Sequence, residues 1–92
     1  MTTDMKIYKY SIPVDDEIVI KMPKDAKVLT VQMQKSEPCI WILCDPNNEI
    51  VERRFYLYGT GMTVSHSETY IGTFQMLNGG LVFHLFELNL PF

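Results

Sequence analysis

The residues with the most chemistry to offer lie in one stretch, Ile50–Tyr58, and its continuation Gly59-Thr60-Gly61. In an extended chain successive side chains alternate. Glu52, Arg54, Tyr56 and Tyr58 then share one face, and Val51, Arg53, Phe55 and Leu57 share the other. The first face is aromatic and cationic: a tyrosine ring stacks on a base, and a guanidinium grips a phosphate through paired N–H donors. The same combination suits a polar-rimmed protein interface, or simply a solvated sheet face. Arg53, on the apolar side, is expected at the edge of the core or across a subunit boundary. Gly59-Thr60-Gly61 could bring backbone N–H groups close to a phosphate, or could end a strand where positive φ is needed. No helical pattern follows it, so neither a P-loop nor a dinucleotide fingerprint applies.

Two further residues join the candidates. His84 sits in LVFHLFEL and shares a face with Val82, Phe86 and Leu88, as a hydrogen-bonded core histidine or as a site group. Trp41, the one tryptophan, is a core anchor or a pocket wall. The ligand-binding set expected from the residues is thus Arg53, Arg54, Tyr56, Tyr58, Gly59, Thr60, Gly61, Trp41 and His84. Arg53 or Arg54 would take a phosphate, Tyr56, Tyr58 or Trp41 would stack, and Thr60 or His84 would donate or accept a hydrogen bond.

Other chemistries find little support. Zinc sites pair Cys or His residues two to four apart, and Cys39/Cys44 and His66/His84 lack that spacing, so no metal or other cofactor is expected. His66 lies between Ser65 and Ser67, but nothing marks either serine as activated. An enzyme is not expected. The cysteines are an odd number of residues apart, which points them to opposite faces of a strand and rules out a bridge within it; two reduced thiols are expected.

The elements that must position these residues follow from the apolar pattern. Between Pro38 and Pro46 lies an unbroken apolar run, Cys39–Cys44, of strand length. A run apolar on both faces suits an interior strand, and proline marks its ends. Extended segments are also expected at Met5–Ile12, Glu17–Met22, Lys27–Gln34, Ile50–Tyr58, Tyr70–Leu77 and Leu81–Leu88. The first two are expected to form a hairpin over Pro13–Asp16, and the last two a hairpin over Asn78-Gly79-Gly80, whose residues accept positive φ. Asp45–Glu49 is a turn. Gly59–Thr69 has no apolar period and is long for a loop in a compact domain, a kind of segment that often carries function. No window shows helical periodicity. The fold class is all-β, a single domain over residues 1–92, built as an antiparallel sandwich or barrel of about seven strands.

Composition narrows the partners. The chain has 92 residues, 47% of them hydrophobic, and a net charge of −3. A basic stripe for DNA or RNA is missing. No apolar run approaches the ~18 residues of a membrane-spanning helix, and the start lacks the apolar core of a signal peptide. A soluble, intracellular protein is expected. A domain this short buries only about 60–65% of its unfolded surface; an apolar excess in so small a domain points to a homo-oligomer.

MKIYKYSIP, EPCIWILCDP, RRFYLYGTG and YIGTFQMLNGGLVFHLFE together resemble a widespread family of small, uncharacterised proteins encoded by tailed bacteriophages. The most specific pieces are Glu37-Pro38 with Trp41, Tyr58-Gly59-Thr60-Gly61, Tyr70–Phe74, and Phe83-His84 with Phe86-Glu87. Relatives tend to carry histidine after Gly-Thr-Gly, where this chain has Met62. The resemblance implies a host bacterial cytoplasm and expression during infection. It carries no activity, but small phage proteins without catalytic motifs often disarm host defence. The expected function is therefore an anti-defence protein that sequesters a nucleotide-derived immune signal without turnover. The alternative is an interaction protein that inhibits a host or defence enzyme by direct contact.

Overall fold

The computed structural model describes residues 4–64 and 67–89. Among these described residues seven strands follow in chain order: β1 (Lys6–Ser11), β2 (Glu17–Pro23), β3 (Lys27–Gln34), β4 (Glu37–Cys44), β5 (Ile50–Gly59), β6 (Glu68–Met76) and β7 (Leu81–Leu88). They form two antiparallel sheets, ordered β1-β4-β3 and β2-β5-β7-β6. The apolar run that reads as an interior strand is the middle strand of the smaller sheet. Ile40, Ile42 and Cys44 are fully buried on its inner side, and Trp41 and Leu43 are half-covered on its outer side.

The inner faces meet in one core of Ile18, Ile20, Met22, Val31, Ile40, Ile42, Phe55, Leu57, Phe74 and Leu85. Burying each such side chain contributes about 1.5–3 kcal/mol, against the ordering entropy of a short chain. The sheets come closest where β3 lies beside β6, although no ladder joins them. Gly72 of β6 makes that approach possible: a Cβ there would fall 2.7 Å from Cγ1 of Val31. Both strands are bulged near this corner, at Val28/Thr30 and Tyr70/Gly72. β1 and β2 at the opposite side stay unpaired with each other, so the architecture is a sandwich and not a closed barrel.

One expected pairing is wrong. Lys6–Ser11 and Glu17–Pro23 do not form a hairpin: β1 pairs with β4 and β2 with β5. The segment between them is an arch from one sheet to the other. Its first end is held by Ile12 N–H donating to the Pro38 carbonyl (3.0 Å), and its far end by Leu57 N–H donating to the Asp16 carbonyl (3.1 Å). Ile12 and Ile18 are both buried on either side of the arch, so crossing between sheets buries apolar surface that a flat hairpin would leave wet. Two more arches, Lys24–Ala26 and Asp45–Glu49, are tied together by Lys24 N–H to the Glu49 carbonyl (2.8 Å) and Asn48 Nδ2 to the Lys24 carbonyl (2.9 Å).

The β6–β7 hairpin forms as the Asn-Gly-Gly signal predicts, with the left-handed residues one place earlier than expected, at Leu77, Asn78 and Gly79. β3 and β4 join through a two-residue turn in which Lys35 (φ 49°) and Ser36 (φ 71°) are both left-handed. The resulting molecule is flat, with extents of 48 × 33 × 16 Å. Its accessible surface of 6226 Å² exceeds the roughly 5,500 Å² of a compact monomer of this mass.

Candidate functional site

Residues opposite one another in an antiparallel ladder share a face, so the register lays out the outer face of the four-stranded sheet row by row. Tyr56 stands opposite Phe86, and Phe86 opposite Tyr70. In the next row Tyr58 stands opposite His84, and His84 opposite Thr73. The rings make a connected cluster: Tyr58 meets Phe86 edge-on at 5.5 Å, Tyr70 meets Phe86 at 5.4 Å, and Tyr56 lies 6.5 Å from Tyr58. Tyr70 is the open end of the cluster, 55% exposed, whereas Tyr58 is buried.

What covers Tyr58 follows from the topology. β5 and β6 are both antiparallel to β7 and therefore run the same way, with β7 between them. A hairpin cannot join such strands; a crossover must return the chain to the other end of the sheet. The aperiodic segment after Gly59 is that crossover, and its described ends lie against the outer face. It leaves β5 through a turn closed by Met62 N–H to the Gly59 carbonyl (3.1 Å), with Gly61 at φ 93°. Thr60 Oγ1 then bonds His84 Nε2 (2.9 Å), His84 Nδ1 bonds Thr73 Oγ1 (2.9 Å), and Thr73 Oγ1 bonds the Tyr70 hydroxyl (2.5 Å). At the far end the Tyr58 hydroxyl donates to Glu68 Oε2 (2.6 Å), and Asn89 N–H donates to the Ser67 carbonyl (2.9 Å). Burial above all, then the Glu68 hydrogen bond and charge, push the Tyr58 phenol up to about 12.

The arginines go to opposite faces, as alternation requires. Arg54 lies on the outer face and pairs with Glu17. Arg53 lies on the inner face at the end of the core, where Nη2 donates to Glu87 Oε1 (2.8 Å), Nε donates to Glu87 Oε2, and Nη1 donates to the Ala26 carbonyl (2.6 Å). It forms one wall of an open cleft of about 820 Å³ under the two tied arches. Two cations (Lys24, Arg53) and four carboxylates (Asp25, Glu49, Glu52, Glu87) line that cleft, so its excess charge is negative.

The structure thus brings Arg54, Tyr56, Tyr58, Thr60 and His84 to one face, with Gly59 and Gly61 forming the turn beside them. Arg53 is separated from them by the sheet. Trp41 is on the outer face of the other sheet, between Lys9 and Thr30. His66 and Ser65 lie outside the described residues. Sequence reasoning missed Glu87, Glu17, Glu68 and Thr73, the partners of Arg53, Arg54, Tyr58 and His84, and the exposed ring of Tyr70. The available signal was the alternation of His84 with Phe86, which marks that strand's outer face but not its neighbours.

Among the described residues no group of three or more His, Cys, Asp or Glu side chains could hold a metal. Cys39 and Cys44 are free and buried, and on opposite faces of β4. Burial, then the Asp45 carboxylate, pushes the Cys44 thiol up, which makes it a poor nucleophile.

The chain matches no curated protein and no solved structure. A family model described as a domain of unknown function, DUF7352, matches residues 4–91. That match spans both sheets, the crossover and the aromatic row, and on it the chain belongs to the DUF7352 family.

Proposed function

We propose that this protein acts by binding without turnover, through the outer face of the four-stranded sheet, and that what it binds is a protein surface. The observation that carries the reading is the row Tyr56–Phe86–Tyr70, with Tyr70 55% exposed. Aromatic residues beside a paired arginine are the composition of an interface centre with a polar rim. Both guanidiniums already hold carboxylates, and Tyr58, Thr60 and His84 hold the crossover, so a phosphate would have to break existing bonds. The resemblance to small phage proteins supports a host or defence enzyme as the partner, blocked by contact in the bacterial cytoplasm.

A second reading, sequestration of a nucleotide-derived immune signal, draws support from one observation. The cleft beside Arg53 falls within the range of small-molecule sites, about 300–1,000 Å³. Its surplus of carboxylates weighs against an anionic ligand. Capture experiments with the full chain separate the two readings. A stoichiometric bacterial protein retained by the wild type, and lost with Tyr70→Glu at unchanged melting temperature, is the expected result. A nucleotide released on heating with no protein partner overturns it in favour of the second reading. In that case cyclic dinucleotides or cyclic ADP-ribose at ~100 times their dissociation constant raise stability by roughly 2.7 kcal/mol.

A further inference from the structure

We infer that the outer face of the three-stranded sheet is a second binding surface, and that its ligand is a single-stranded nucleic acid. The face belongs to the sheet that does not carry the aromatic row, so the inference is independent of what that row binds. Charge is divided unevenly between the two sheets. β1, β3, β4 and the β3–β4 turn carry four lysines (Lys6, Lys9, Lys27, Lys35) against one carboxylate, Glu37, a net +3. The chain as a whole is −3, so the remaining four cations and ten carboxylates come to −6. Ion pairing follows the same division. Among the described residues Lys24, Arg53 and Arg54 each hold a carboxylate, and none of the four lysines on the smaller sheet does.

A cluster of unneutralised cations on an otherwise acidic molecule draws a polyanion to that one face. The sequence conceals the cluster. Its lysines are far apart along the chain until β1 and β3 pair with either side of β4.

What else the face carries selects among polyanions. The register puts Lys9, Trp41 and Thr30 in one outer row and Ile7, Leu43 and Lys27 in the next. Half-covered Trp41 therefore has one lysine beside it and a second diagonally across, on the other side of β4. Gln32 and Gln34 continue the same face toward the β3–β4 turn. Lys9 Nζ donates to Gln34 Oε1 (2.5 Å), which leaves two donors of that ammonium for a phosphate. Ring, ammonium and amide are the groups that stack a base, pair its phosphate and bond its edge. A lipid surface would cover Thr30, Gln32 and Gln34 beside Trp41 and give their amides and hydroxyl no partner. The major groove of a duplex admits a helix or a two-stranded ribbon, not the face of three strands. A single strand can lie along β4.

Trp41 is the one tryptophan in the chain, so its fluorescence reports on this face without a label. Titration of the full chain with oligothymidylate or oligouridylate in low salt is expected to quench it. Each lysine–phosphate contact adds about −0.7 to the slope of log K against log salt, so Lys9 and Lys27 together give a slope of about −1.4 or steeper. Lys9→Gln with Lys27→Gln, both at exposed positions, is expected to weaken binding at least about tenfold at low salt and flatten that slope, with an unchanged melting temperature. Lys21→Gln, an equal charge change on the other sheet, is expected to leave binding as it was. No quenching at near-millimolar oligonucleotide overturns the inference, as does binding that the paired lysine variant leaves intact. Equal quenching by polyglutamate reassigns the face to an acidic protein, and stronger binding to phosphatidylserine vesicles reassigns it to a membrane; either result overturns the nucleic-acid assignment.

Discussion

Tyr58 shows how a residue chosen for ligand chemistry can be consumed by structure. Its phenol is held up at about 12, against about 10 in an unfolded chain. Folding therefore favours the neutral phenol, and the folded chain keeps a proton that the unfolded chain releases. That stabilisation is complete below pH ~10 and is lost as the pH rises from ~10 through ~12. A tyrosinate absorbance titration should show a phase well above the ordinary range that disappears in Tyr58→Phe and shifts downward in Glu68→Gln; uniform titration near 10 would disprove the assignment. Gly72 gives a second test at this scale. Gly72→Ala places a methyl against Cγ1 of Val31, a stiff, buried side chain, and should cost about 1–3 kcal/mol in urea denaturation. No measurable loss would mean that β3 and β6 do not approach as closely as described. Neither effect was legible beforehand: the glycine and the phenol are visible in the chain, but Val31 and Glu68 meet them only once strands far apart in sequence are assembled.

The strands were the legible elements, because alternation and turn residues are local. Asn78-Gly79-Gly80 announced a hairpin that forms, and Cys39–Cys44 announced a middle strand that is one. Pairing was not local: Ile18 and Ile20 look the same whether their neighbour is Tyr8 or Phe55, and only burial of Ile12 from the other side decides for an arch. The Lys35-Ser36 turn carries a prediction of its own. Both residues occupy a left-handed conformation that suits Asn-Gly and costs other residues roughly 1–2 kcal/mol each. The double variant Lys35→Asn, Ser36→Gly should gain about 0.5–1 kcal/mol after the added entropy of an unfolded glycine, read as a higher urea midpoint with the slope unchanged. A loss of stability would argue against this turn geometry. The long aperiodic segment after Gly59 is explained at the same scale. Its length answers the need to cross β7 and does not by itself indicate a binding loop.

At the scale of the whole molecule, a flat sandwich carries its apolar excess on its edges and faces. The hydrophobic content that pointed to an assembly is spread over that surface, with Ile7, Val19, Ile50, Met62, Tyr70 and Leu77 all exposed. Which residues would form a site was less legible than the fold, because alternation separates Arg53 from Arg54 but cannot reveal that Glu87 and Glu17 already hold them. The strand order has one more effect, on how the chain matures. β7 is made after both β5 and β6, yet it lies between them and bonds to each. While residues 81–88 are still inside the ribosome, β5 and β6 have nothing to join them and His84 has not arrived to fix the crossover. Nascent chains stalled before that point should be protease-sensitive through the 59–76 region, with protection arriving abruptly once β7 emerges.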